Sequence, residues 1–406
     1  MERENTTKYF IWVGILGILA VMGLGAWIYQ VSNGLIVTGM RNVVSWGLYI
    51  TLFMFFVGLS AGGLIVSSSA TVFNIEAFKK VSKPAVLLST VCIIIAALFI
   101  FVDIGKPARI FYLFLHPQLT SPLIWDLIVI SLYFLVSAFY MYFMTRPNPD
   151  QKILAIMSRI ALPVAVLVHS VTAWIFGLQI AKVSWHSALM APIFVASALS
   201  SGLALLLIAL YAMNKFGKYE LDKKLFVTLA GLLAVFVAVD AFFIGCEILT
   251  AVYAGEATVM AAMGTLFSGS LAPFFWGQII LGLMIPFLIL VFAKNREKQG
   301  WVLFASVLIV MGVLFKRIWL LFSSYIFPLV PGQLGVTLGE FKETADSILI
   351  PNIWAATGSY TPTIFEIMIA IGIISAGLLL FTIGFRMFLS TRTSKREVKA
   401  QSTFSA

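Results

Sequence analysis

Residues 84–104 read PAVLLSTVCIIIAALFIFVDI, an apolar run that meets its first charge only at Asp103. About 20 apolar residues are needed to cross the roughly 30 Å hydrocarbon core of a bilayer, and this run has that length. It also lacks the polar stripe that a helix on the surface of a soluble protein would show. Working outward, similar runs lie near 10–30, 45–73, 122–144, 152–180, 188–213, 225–252, 270–293, 301–327 and 362–389, which makes ten predicted spans. The first is too long for the apolar core of a secretory leader and lacks a small-x-small cleavage site, so it is read as a helix. Of the 406 residues 61% are hydrophobic and only 11% charged, which excludes a water-soluble domain, because no polar coat is left to face water. The predicted class is an all-α integral membrane protein.

The formal charge is +10, from 27 Lys and Arg against 17 Asp and Glu. In a soluble chain that balance would suggest nucleic acid, but here the basic residues sit in short loops between apolar runs. Nineteen fall at the amino terminus, after the second, fourth, sixth and eighth spans, and in the tail from Arg386. The opposite side carries five: Arg41, Lys106, Arg109, Lys182 and Lys342. Such asymmetry orients a membrane protein with its basic loops inside. It predicts both termini in the cytoplasm of a prokaryotic cell, and loops 31–44, 105–121, 253–269 and 328–361 on the outer side.

Two cysteines, Cys92 and Cys246, both inside apolar runs, cannot build a disulfide framework or a four-thiolate cluster. Of three histidines, His116 and His186 fall in outer loops, which leaves His169 without the second intramembrane histidine that a membrane haem usually takes. No metal site is predicted.

A repeat is visible. Val44-Ser45-Trp46 precedes Leu59-Ser60-Ala61-Gly62, and Val183-Ser184-Trp185 precedes Leu199-Ser200-Ser201-Gly202. Likewise Pro122-Leu-Ile-Trp125 opens the fourth span and Pro273-Phe-Phe-Trp276 the eighth. Spans 2–5 and 6–9 are therefore read as two four-helix bundles in parallel repeat, flanked by spans 1 and 10. The implied divisions are 1–43, 44–182, 183–327 and 328–406. Gly58, Ser60, Gly62 and Gly63 are read as small residues that let helices approach closely.

Ionisable side chains inside a bilayer are costly and point to function or to pairing. Counted from the predicted ends, Asp103, Asp126, Asp240, Glu247 and Gln278 lie toward the outer side, with His169, Lys316 and Arg317 deeper. Asp240 with Lys316 or Arg317 is the obvious structural pair. A lone imidazole such as His169 can hydrogen-bond a ligand carbonyl and exchange a proton near neutral pH. The acidic segment with Glu340, Glu343 and Asp346 is read as a hydrated loop or a docking surface.

The loop after the third span reads Val102-Asp103-Ile104-Gly105-Lys106-Pro107-Ala108-Arg109, then Leu115-His116-Pro117-Gln118-Leu119-Thr120-Ser121-Pro122-Leu-Ile-Trp125-Asp126. With Val37-Thr38-Gly39-Met40, Val44-Ser45-Trp46-Gly47-Leu48-Tyr49 and Gly58-Leu-Ser-Ala-Gly-Gly63, it resembles the NrfD/PsrC family over roughly 31–327. Ala108 stands where that family usually carries an acid. The resemblance implies a quinone-reactive membrane subunit of a polysulfide reductase-like complex, related to membrane subunits of alternative complex III. Its quinone, menaquinone or ubiquinone, would bind near the outer face. An external ferredoxin-like iron–sulfur subunit and a molybdopterin-dependent catalytic subunit would be its partners, and this chain would hold neither haem nor cluster.

Carried onto this sequence, the family pattern places Trp46, Tyr49, Asp103 and Asp126 at the quinone, and the depth argument adds His169. Lys106, Arg109 and His116 would meet the iron–sulfur partner. The second repeat lacks the Asp-x-Gly-Lys-Pro loop, so Asp240, Glu247, Lys316 and Arg317 are read as a proton pathway or a buried lock. Two other functions are compatible with the composition: a transporter or ion channel without redox role, and a passive anchor for a peripheral enzyme.

Overall fold

A computed structural model describes residues 2–41, 44–217, 219–326 and 359–388. No β-strand occurs among the described residues. In chain order the helices are α1 (Glu2–Asn33), α2 (Leu48–Val72), α3 (Glu76–Asp103), α4 (Arg109–Leu115), α5 (Pro122–Thr145), α6 (Gln151–Gly177) and α7 (Met190–Gly217). They continue with α8 (Lys223–Ala254), α9 (Ala257–Phe267), α10 (Ala272–Trp276), α11 (Ile285–Val291), α12 (Ala293–Arg296), α13 (Gln299–Ile326) and α14 (Ile364–Phe388). A π-helical segment, Gly277–Met284, joins α10 to α11 as one span. Ten described helices are long and apolar enough to cross a membrane. The all-α integral membrane class and the ten expected spans are thus present.

Three details differ from the sequence expectation. First, α3 begins at Glu76 rather than near 84, because Lys79, Lys80 and Lys83 ride on the helix beyond the apolar core; their long stems let the ammonium groups reach water. Second, the loops after the third and seventh spans each contain a short helix, α4 and α9. Third, the eighth span is interrupted. Pro286 has no N–H to donate back along the helix, and the wider turns of Gly277–Met284 take up that break.

Local chemistry explains several helix ends. Pro122 starts α5 where an N–H would have no partner anyway. Asp150 and Asp222 cap α6 and α8, accepting from Lys152 N–H at 2.8 Å and Lys224 N–H at 3.0 Å. Helix α8 stops at Gly255, whose φ of 62° is left-handed.

Helices α2, α3, α5 and α6 pack as a ring in that order, and α7, α8, the α10–α11 span and α13 do the same. The rings meet where α2 packs on α7, with α6 against α7 on one side and α13 against α2 on the other. These contacts fit the two-bundle repeat expected from the sequence. At the crossing, a Cβ on Gly62 would collide with the backbone of Gly202, its counterpart in the sequence repeat. Only glycine at both positions allows that approach. Helices α1 and α14 form a separate pair, joined by a stacked Tyr29–Phe365 contact and seated on the first bundle through α14 and α3.

One end of the molecule holds the 3-10 turn Leu35–Val37, residues 104–121, α9 and residues 359–363. It is called the motif end. The other end has the short, lysine-rich connections and is called the basic end. Residues 327–358 and 389–406, which include Glu340, Lys342, Glu343, Asp346 and most of the basic tail, lie outside the described residues, as does the boundary region around residue 328.

Candidate functional site

A buried polar cluster occupies the motif end of the first bundle. Tyr49, one residue into α2, donates to Gln30 Oε1 on α1 at 2.6 Å. Gln30 in turn donates through Nε2 to the carbonyl of Val102 on α3 at 3.2 Å. The next residue, Asp103, ends α3, and its Oδ1 is buried with no partner among the described residues. A helix C-terminus presents carbonyl oxygens and the negative end of the dipole, so this carboxylate is held where the helix does nothing to stabilise it. Tyr49 and Asp103 are within electrostatic reach of each other.

Glu366 reaches the same cluster from α14 and is placed in the opposite way. Thr363 and Glu366 form a capping box: Thr363 N–H donates to Glu366 Oε2 at 2.9 Å, and Glu366 N–H donates to Thr363 Oγ1 at 3.4 Å. Glu366 also accepts from Gly39 N–H at 2.7 Å and from the Tyr360 hydroxyl at 2.5 Å. Tyr360 accepts from Leu48 N–H at 2.8 Å, which ties the start of α14 to the start of α2. Burial, the bond to Glu366 and its charge push the Tyr360 phenol well above its ordinary value.

Beside this cluster stands a group of aromatic rings where the two bundles meet. Trp46 and Trp185, equivalent in the repeat, stack with centroids 6.1 Å apart. Phe176 stands edge-on to both, and Tyr325 edge-on to Trp185 at 5.6 Å. The Tyr325 hydroxyl meets Ser45 Oγ at 3.2 Å and also feels Asp103. Thus the rings and the acids border one another. Lys182 lies 5.0 Å from the Tyr325 ring centroid, and burial lowers the pKa of its amine.

Asp126 and His169 form a second group, deeper in the first bundle. Asp126 Oδ1 accepts from Thr172 Oγ1 at 2.6 Å, linking α5 to α6. His169, one turn earlier on α6, faces two main-chain carbonyls: Nδ1 is 2.6 Å from Ala165 O, and Nε2 is 3.0 Å from Val57 O on α2. A neutral imidazole has a single N–H and serves one of them at a time. The expected quinone residues therefore fall into two sets, with Trp46, Tyr49 and Asp103 at the motif end and Asp126 and His169 below.

In the second bundle the anticipated pair is made by Lys316 and Asp240, 3.0 Å apart and fully buried between α13 and α8. Arg317 instead turns toward α7. It donates to Ser197 Oγ at 3.0 Å and lies 3.9 Å above the Phe194 ring, while Nε and Nη1 lack partners among the described residues. Glu247 accepts from Ser187 Oγ at 2.7 Å. Gln278 accepts from Trp319 Nε1 at 2.7 Å, leaving Nε2 unpartnered among the described residues. Lys106, Arg109 and His116 are exposed at the motif end. So is the apolar face of α4, where Phe111 and Tyr112 are each 65% accessible.

Gln30, Tyr325, Tyr360 and Glu366 were not singled out from the sequence. Glu366 carried two signals, an acid just inside the last predicted span and a Thr-x-x-Glu string ahead of an apolar run. Gln30 and the tyrosines carried none, since neutral polar residues near a span end are ordinary.

Comparison with known proteins identifies the family. Residues 36–329 match the sequence profile of the family described as polysulphide reductase, NrfD. A membrane subunit assigned to dimethyl sulfoxide reductase in Halobacterium salinarum is 38% identical, over 92% of this chain and 90% of its own. The Hdr-like menaquinol oxidoreductase integral membrane subunit of Archaeoglobus fulgidus is 34% identical, over 95% and 94%. A selenate reductase subunit of Mesobacillus selenatarsenatis is 26% identical, over 91% of both chains. These relatives bear the names of oxidoreductase subunits, two of them expressly membrane subunits. The chain is a multi-pass membrane protein that belongs to the NrfD polysulphide reductase family.

Proposed function

We propose that the chain is the quinone-reactive membrane subunit of a respiratory oxidoreductase, exchanging electrons and protons between membrane quinol and an iron–sulfur subunit docked on the motif end. The observation that carries the reading is Asp103, a half-buried carboxylate with one buried, unpartnered oxygen at a helix C-terminus, bordered by Tyr49 and a cluster of indole and phenol rings. A menaquinol name on one relative supports it. In this reading the motif end faces the exterior of a prokaryotic cytoplasmic membrane, both termini are cytoplasmic, and the catalytic partner is molybdopterin-dependent.

A quinol can give up two electrons and two protons; an iron–sulfur centre on the partner would take the electrons. The residues of this chain handle position and protons. Trp46 offers a ring face, and Tyr49, held by Gln30, orients its hydroxyl at the head of α2. Asp103 accepts one proton at Oδ1, and the deeper Asp126 and His169 carry the second away. Lys106, Arg109 and His116 are exposed beside the site and form part of the docking face. Asp240, Glu247, Lys316 and Arg317 extend the proton route into the second bundle.

The test is quinol-linked turnover of the assembled complex carrying Asp103→Asn or Asp126→Asn. General acid–base groups typically contribute about 100-fold or more, so a loss of that size is expected with assembly intact. Unchanged turnover in both variants would leave a passive anchor as the better reading. Solute or ion flux through proteoliposomes of this chain alone, without quinol, would favour a transporter.

A further inference from the structure

We infer that the basic half of the second bundle carries a binding site for one anionic phospholipid, in the groove between α8 and α11. The groove is open, offers about 450 Å³ and is lined by Gly231, Val235, Val239 and Phe242 of α8, by Phe287 of α11, and by Arg296. This site is independent of the quinone reading, since it lies on another bundle and toward the other end.

Three features select the ligand class. The apolar wall is open to its surroundings: Val235 is 56% and Phe242 65% accessible, on a helix that crosses the membrane. Acyl chains are what a bilayer offers such a wall. Next, Arg296 is the one cation among the lining residues, and its Nε is buried without a partner among the described residues. A guanidinium presents a planar fork suited to phosphate oxygens. Last, the position is right. Helix α8 has 32 residues, about 48 Å at 1.5 Å each, so it overshoots a roughly 30 Å hydrocarbon core by about 9 Å at each end. Gly231 stands about 12 Å from its basic end by the same rise, about 3 Å inside the hydrocarbon boundary, from where an arginine can reach outward to the phosphates beyond it. There a Cβ on residue 231 would press on Arg296 Nη1, so glycine is what lets the guanidinium lie close against α8 in the groove.

Lys294 and Lys298 flank Arg296 and raise the local density of phosphate-bearing lipid. Neither lines the groove, which makes Lys298 a control. The experiment is native mass spectrometry of the full chain from nanodiscs holding equal parts of phosphatidylglycerol and phosphatidylcholine. One retained phosphatidylglycerol per chain is expected, favoured about fivefold over phosphatidylcholine, from about 1 kcal/mol for one basic residue. Arg296→Gln should abolish the preference and Lys298→Gln preserve it. Val239→Trp should remove the retained lipid by filling the groove while leaving every charge in place. Equal retention of the two lipids by the unmodified chain would overturn the proposal, as would an unchanged preference in Arg296→Gln. Retention of quinone in place of phospholipid would overturn it too.

Discussion

Lys316 and Asp240 offer the sharpest energetic test of the second bundle. Their atoms are 3.0 Å apart and the side chains 1% and 0% accessible. Replacing Lys316 by Met removes the bonded partner of the buried Asp240 carboxylate and leaves it only the more distant charge of Arg317, a loss of about 3–5 kcal/mol. At about 1.4 kcal/mol per decade, that is roughly a 150- to 4,000-fold fall in the folded-to-unfolded ratio. The pair is incompletely satisfied, since Asp240 Oδ2 has no partner among the described residues. Replacing both, Asp240→Leu with Lys316→Met, should therefore recover most of the loss, without a net gain because the buried Arg317 then loses the charge of Asp240. Reversible unfolding in mixed micelles, followed by tryptophan fluorescence, measures all four corners of this cycle. A Lys316→Met chain within about 0.5 kcal/mol of the original, or a double variant as weak as the worse single, would refute the reasoning. Turnover of the double variant then separates roles: a lock leaves quinol-linked activity intact, whereas a proton route loses it although the fold is sound.

At the bundle interface, Gly62→Leu should cost at least about 1–3 kcal/mol by overpacking, because its side chain would enter the backbone of Gly202; thermal unfolding of the purified chain reports it. Glu366→Ala removes the acceptor for Gly39, Tyr360 and Thr363. With hydrogen bonds to charged groups worth about 1.5–3 kcal/mol, faster amide exchange is expected in the first turn of α14 and at residue 39. Near the basic end, the Lys80 ammonium bonded to Asp222 holds that carboxyl below its ordinary range. A depressed carboxyl contributes above its unfolded pKa and loses the contribution as pH falls through the folded value. Exchange at Lys224 and Leu225, which Asp222 caps, should therefore rise below about pH 4. In Lys80→Gln this loosening should begin at a higher pH.

The span count was legible because bilayer thickness imposes one length on every crossing segment, and residues 84–104 already meet it. The Val-Ser-Trp strings and the small residues suggested a repeat, and the helix contacts and the Gly62–Gly202 crossing fit it. Boundaries were less readable. Lysine stems carried α3 back to Glu76, and no apolar count reveals that Gly277–Met284 winds as a π-helix. Buried polar positions were readable where an ionisable group stood inside a span, as with Asp126, Asp240 and His169. Gln30 and Tyr360 were not, because a neutral polar side chain costs little near a span end and acquires meaning only through its neighbours.

By itself the sequence established that this chain lives in a membrane, crosses it ten times and carries the loop motif of its family, all properties of local composition and spacing. Only the tertiary structure decided that Lys316 rather than Arg317 takes Asp240, and that His169 faces a carbonyl of α2. It alone brought Glu366, from the far end of the chain, beside Tyr49 and Asp103. Partner choice inside a bilayer depends on which helix faces meet, and that is a matter of packing between segments far apart along the chain.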